Sequence, residues 1–224
     1  MAIEGVVIVV SILLAFTIDA WWDERRDAED EEAQVARVLA ELRANAALLD
    51  AQTAALDSAT QAASEFLAMM GPDAKDVPVS AVGEMMFRIY GINTISLGDS
   101  ASRNFVSTGQ LTDDRWTGLR LAVADLLSSF HQAERASLEL RQMRPEMLRQ
   151  MRRHVSGLDI VKAAPPMADY PESKFQSDVG ALLSDIAFEG MVASYAIRME
   201  LNRGSIQRLE QQLGDVIARI EATP

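Results

Sequence analysis

Apolar residues follow three regimes along this chain. The first is continuous: from Gly5 to Ile18 the sequence reads GVVIVVSILLAFTI, flanked by Glu4 and Asp19, with Ser11 and Thr17 its mild polar intrusions. About 20 helical residues at 1.5 Å each give roughly 30 Å, the hydrocarbon thickness of a bilayer. Residues 1–22 are therefore expected to form a transmembrane helix, with Trp21 and Trp22 at the membrane-water boundary that aromatic rings prefer. Ser11, Ala15 and Thr17 are small enough to pack that helix against others in the membrane. A cleaved leader would begin with basic residues, and none precedes Arg25.

The second regime is heptad. Neither Gly nor Pro occurs between Gly5 and Gly71, so one helix is expected to leave the membrane and run on over about 23–70. Val35, Leu42, Leu49, Leu56, Ala63 and Met70 recur every seven residues, with Leu39, Ala46, Thr53, Thr60 and Leu67 four after each, as in a coiled coil or long helical hairpin. GPDAKDVP (71–78) closes that helix with a glycine and two prolines.

The third regime is the ordinary helical spacing near 3.6. A short helix is expected over 80–90, a loop over 91–98, and another short helix over 100–108, capped by Asp99 or Ser100. Thr112 caps the next, 113–154, whose first turn holds Asp113 and Asp114. Pro145 lies inside it and predicts a kink or break near Arg144. A proline-rich loop over 157–171 precedes a last helix over 172–221. No stretch alternates with period two. The fold class is therefore all-α: an anchor (1–22) and an extramembrane antiparallel bundle of long helices (23–224).

Composition narrows the chemistry. Among 224 residues there is no cysteine, which removes disulfides, thiolate metal sites and cysteine nucleophiles. A net charge of -12 argues against nucleic acid as a partner. The positive-inside rule, applied to Arg25, Arg26, Arg37 and Arg43 after the span, favours a cytoplasmic body.

The start of the chain resembles a large, functionally uncharacterised family of bacterial single-span membrane proteins. The likeness lies in Glu4, the run VVIVVSILLAF, then Ile18-Asp19-Ala20-Trp21 and Glu24-Arg25-Arg26; Ser102 to Leu111 resembles that family's mid-chain step between two helices. It covers the first 50 residues well and the remainder loosely. The resemblance implies a membrane-anchored helical body with no assigned activity, held in the periplasm of a bacterial inner membrane, and on this point it opposes the charge rule.

Candidate chemistry is sparse. The two histidines are His131 and His154. His131 and Glu134 stand one turn apart, but a carboxylate-bridged metal bundle needs that step twice with further inward glutamates. His154, beside Arg152 and Arg153, reads as compensation of a helix C-terminus. No phosphate loop, dinucleotide fingerprint or nucleophile elbow occurs, and the apolar segment offers no histidine to a haem. No cofactor, metal or catalytic residue is expected. Arg141, Arg144, Arg149, Arg152 and Arg153 form a basic run that reads as a solvated face or as a contact for anionic lipid or an acidic partner. Met143, Met147 and Met151 read as core. DERRDAEDEE (23–32) sets seven carboxylates against two arginines where the helix leaves the membrane. These features predict a non-catalytic accessory subunit of a larger membrane complex, of the respiratory or photosynthetic kind, in contact with lipid and other integral subunits. The alternative is a homo-oligomeric anchored coiled coil acting as scaffold or sensor.

Overall fold

The computed structural model describes residues 2–74, 77–107, 116–162, 170–171 and 173–222, with side chains from residue 13 onward except Glu24. All regular structure among them is helical: α1 (Ala2–Met69), α2 (Val79–Tyr90), α3 (Ser100–Ser107), α4 (Thr117–Met151), α5 (Gly157–Lys162), α6 (Val179–Leu183) and α7 (Ile186–Ala222). The all-α expectation holds. Among the described residues no helix is long and apolar enough to cross a membrane, and the side chains of 2–12, most of the apolar run, lie outside them. The fold thus establishes the helical body and not the expected span.

Three long helices carry the body. Arg43, Thr53 and Asp57 of α1 meet Glu221, Glu210 and Arg203 of α7, each at 2.7 Å, so the two run antiparallel. Arg144 and Glu139 of α4 meet Tyr195 and Arg198 of α7 in the same opposed sense. Consequently α1 and α4 run parallel on either side of α7. The fourth column of the bundle is composite: α2 packs on α1, α3 packs on α1 and α4, and the non-helical strap 91–99 joins them.

Val35, Leu42, Leu49, Leu56 and Ala63 are buried, as their heptad spacing predicts. The second row differs from expectation. Leu39, Ala46, Thr53, Thr60 and Leu67 are only half-buried, whereas Val38, Asn45, Gln52, Ala59 and Phe66, three residues after each heptad position, are buried. Helix α1 touches partners on two sides, so it needs a stripe wider than a two-position seam. Asn45 and Gln52 are polar, and an apolar count passes over them.

Three boundaries also differ. Helix α4 runs unbroken through Pro145; proline deletes one backbone hydrogen bond, and burial of Leu140, Met147 and Met151 on both sides holds the helix together. The single last helix expected over 172–221 is two, because Asp178 and Asp185 each start a new one. Asp178 Oδ1 accepts from the Ala181 N–H at 2.8 Å, and Asp185 Oδ1 from those of Ala187 and Phe188 at 2.8 and 3.2 Å. Inside the expected loop 157–171, α5 forms and packs on α2. Thr112, Asp113 and Asp114, the expected start of α4, lie outside the described residues.

Gly71 ends α1 with φ at +148°, a conformation that side chains resist, and its N–H donates to the Leu183 carbonyl at 2.9 Å. That bond ties the end of α1 to the last residue of α6.

Candidate functional site

The first described side chains of α1 face solvent. Leu13, Leu14, Phe16, Ile18, Trp21 and Trp22 are each about half to two-thirds exposed, and burial on α1 begins only at Glu31. Trp21 and Trp22 meet edge to face with centroids 5.5 Å apart, and the Arg25 guanidinium lies 5.9 Å from the Trp21 ring. Thr17 donates to its own helix at the Leu13 carbonyl, 2.7 Å away. Of the three residues expected to pack within the membrane, Ala15 and Thr17 are exposed and the side chain of Ser11 is outside the described set. The helix thus projects an apolar and aromatic surface past the bundle, followed by a charged collar in which Arg25 pairs with Glu29 at 3.1 Å.

The strap 91–99 is held by side chains of the helices beside it. From α1, Asn45 donates to the Gly98 carbonyl at 2.7 Å and accepts from its N–H at 2.9 Å, and Gln52 donates to the Asn93 carbonyl at 3.0 Å. From α4, Ser137 accepts from the Ile95 N–H at 3.0 Å and Glu134 from that of Leu97 at 3.1 Å. Glu41 caps α3, taking the Ala101 and Ser102 N–H groups at 2.8 and 2.9 Å. Ile92, Ile95 and Leu97 turn inward under this polar frame. Buried backbone groups need such partners, and here the neighbouring helices supply those that a helix or sheet would supply itself.

The basic run does not form one surface. Arg144, half-buried, turns toward the bundle, donating to the Tyr195 hydroxyl at 3.2 Å and to the Ile92 carbonyl, so it is a structural contact rather than part of a solvated or lipid-facing set. Arg149 pairs with Glu146 on its own helix. Arg141, Arg152 and Arg153 are exposed. Burial pushes the hydroxyls of Tyr195 and its edge-to-face neighbour Tyr90 above the ordinary tyrosine range. Met147 and Met151 are core, as expected, while Met143 lines a groove of about 400 Å³ with Met147, Met191, Gly190 and Ser194.

Both imidazoles are engaged. His131 donates from Nδ1 to the Leu127 carbonyl at 2.7 Å and receives the Arg103 guanidinium at Nε2, 2.9 Å away. His154 does more than neutralise a helix end: its Nε2 meets Asp185 Oδ2 at 2.9 Å, and its carbonyl accepts from the Asp178 N–H. Gln150 also donates to Asp185, at 2.6 Å. Burial would raise the Asp185 pKa, but the hydrogen bonds from Gln150, His154, Phe188 and Ala187 outweigh it and bring the carboxyl down to about 2. No cluster of His, Asp and Glu suited to a metal ion occurs among the described residues.

No family model matches this chain. Nor does any curated protein or solved structure. Sequence reading found the apolar segment from its uncharged length; it missed the polar frame, because Glu41, Asn45, Gln52, Glu134 and Ser137 look alike whether they face water or a neighbouring backbone.

Proposed function

We propose that this protein is a non-catalytic, single-pass accessory subunit of a larger bacterial inner-membrane complex, with residues 1–22 in lipid and the bundle bracing or docking partner subunits. One observation carries the reading: α1 presents Leu13, Leu14, Phe16, Ile18, Trp21 and Trp22 to solvent, outside the bundle that buries the same helix from Val35 onward. Monomeric proteins rarely leave so continuous an apolar surface uncovered, and two adjacent tryptophans beside a charged collar suit a lipid boundary. The resemblance of the opening residues to bacterial single-span proteins supports the same reading, and it favours a body on the periplasmic side. The heptad seam of α1 is filled by α7, α2 and the strap of its own chain. That favours an accessory subunit over a self-zipping coiled coil. An electron-transfer assembly is the class of host we propose.

Alkaline carbonate extraction, followed by purification in mild detergent and mass measurement, tests this. We expect the chain to stay with membranes, to lose that association when residues 1–22 are deleted, and to co-purify with other integral subunits. Release by carbonate overturns the anchor. A discrete homo-oligomer free of other subunits overturns the accessory role.

A further inference from the structure

The seam between α4 and α7 concentrates thioether sulfur at one level. The two helices run opposed, with Arg144 against Tyr195 and Gln150 against Asp185. Met147, midway between Arg144 and Gln150, therefore stands opposite residue 190, a glycine, and beside Met191. Met143 precedes Met147 by four residues and so lies on the same face of α4, one turn away. All three methionines line the groove of about 400 Å³ that Gly190 and Ser194 also border. A Cβ placed on Gly190 would meet nothing within 4 Å, so no side chain closes the groove there. Met147 is buried, whereas Met143 and Met191 are half-buried. Glu146 is the charged residue of the lining, exposed and paired with Arg149 of its own helix. Methionines that serve only as core filler close gaps; these three border one.

We propose that Met143, Met147 and Met191 form a thioether site for Cu(I). Three neutral, polarisable sulfurs from two helices are a soft donor set, and soft thioethers select Cu(I) over the harder divalent ions, which prefer imidazole, carboxylate and water. Charge points to the same ion. Taking a cation out of water costs more as its valence rises, and neutral ligands offset little of that cost, so this groove suits a monovalent ion. Glu146, already matched by Arg149, brings no free anion to attract a harder one. Stronger donors do not compete: the chain has no cysteine, His131 is held by Leu127 and Arg103, and His154 by Asp185. Each methionine side chain has three rotatable bonds, so sulfurs facing each other across the groove can converge on one ion while the backbone stays in place. The site belongs to the bundle and does not depend on the proposed anchor.

Anaerobic titration of the full chain in mild detergent tests the proposal, with Cu(I) supplied as its acetonitrile complex in competition with the chelator bicinchoninate. We expect a single Cu(I) to be held per chain, with sulfur neighbours in the copper-edge X-ray absorption spectrum, and Zn(II) to be ignored. Thioethers do not titrate, so the affinity should stay level from about pH 5 to pH 8, the range across which imidazole ligands change charge. Leucine keeps the volume of methionine, so M143L combined with M191L, which spares the buried Met147, should leave the helical circular-dichroism signal unchanged. Loss of one outer-shell partner already weakens a metal site about 10–100-fold, and loss of two ligands should weaken this one about a hundredfold or more. The control M69L with M70L, at the far end of α1, should bind as the parent does. Absence of Cu(I) uptake, undiminished affinity in the M143L/M191L pair, or an equal loss in the control overturns the proposal. So does an affinity that falls as histidine protonates, or a copper first shell of nitrogen and oxygen alone.

Discussion

Asn45 and Gly98 exchange two hydrogen bonds, side-chain amide to backbone, at 2.7 and 2.9 Å. A reciprocal pair of this kind gives an irregular strap the register that helix geometry gives its neighbours. Replacing Asn45 with Ala removes both bonds and leaves a gap at a site only 1% exposed. We expect a loss of about 2 kcal/mol and a melting midpoint lower by about 4–8 °C, read by thermal circular dichroism. An unchanged midpoint would mean the strap is held by its apolar side chains alone.

Arg144 and Arg141 lie one turn apart and should behave differently. Removing Arg144 strands the Tyr195 hydroxyl and the Ile92 carbonyl, so Arg144→Ala should cost about 2 kcal/mol. The exposed Arg141 should cost less than about 0.5 kcal/mol on the same change. Urea titration of both variants checks the contrast, and equal midpoints would return Arg144 to the surface.

Acid should loosen the joint between α4 and α7. The Asp185 carboxyl has an ordinary pKa of 3.8, lowered to about 2 in the fold. A depressed carboxyl stabilises the fold in full above its unfolded value and loses that contribution as pH falls through the folded one. Between about pH 4 and pH 2 the protein should therefore lose on the order of 2 kcal/mol through this group. Asp185→Asn should be less stable at neutral pH and should show a shallower decline across that window. Parallel slopes in acid denaturation curves would contradict the assignment.

Asn202 is 2% exposed, and neither end of its amide makes a hydrogen bond among the described residues. An unsatisfied buried amide opposes folding. Asn202→Leu should raise stability by about 1 kcal/mol, shifting the melting midpoint up by about 2–4 °C. A lower midpoint would reveal a partner for the amide or a clash with the branched side chain.

Much of this architecture was legible because long helices announce themselves through spacing. The Val35-to-Ala63 row, the Gly71 stop and the short helices near 80–90 and 100–108 lie where the pattern places them. What escaped was polar. Asp178 and Asp185 sit within an apolar repeat that reads straight through them, yet each caps a fresh helix. Asn45 and Gln52 look like solvent positions until the strap arrives from about 50 residues away in sequence. Pro145 carries a strong local signal for a break, and tertiary packing overrode it. Arg144 shared a basic run with its neighbours, and only the position of Tyr195 shows that it points the other way.

Arg43 and Glu221 are separated by 178 positions in sequence and touch in space. The first long helix thus finds its main cover in the last one. During synthesis α2, the strap and α3 can cover one side of α1, but the side that faces α7 must wait until that helix has been made. Closures between such distant segments form late and slowly, so the pairing of α1 with α7 sets the pace at which this bundle can close.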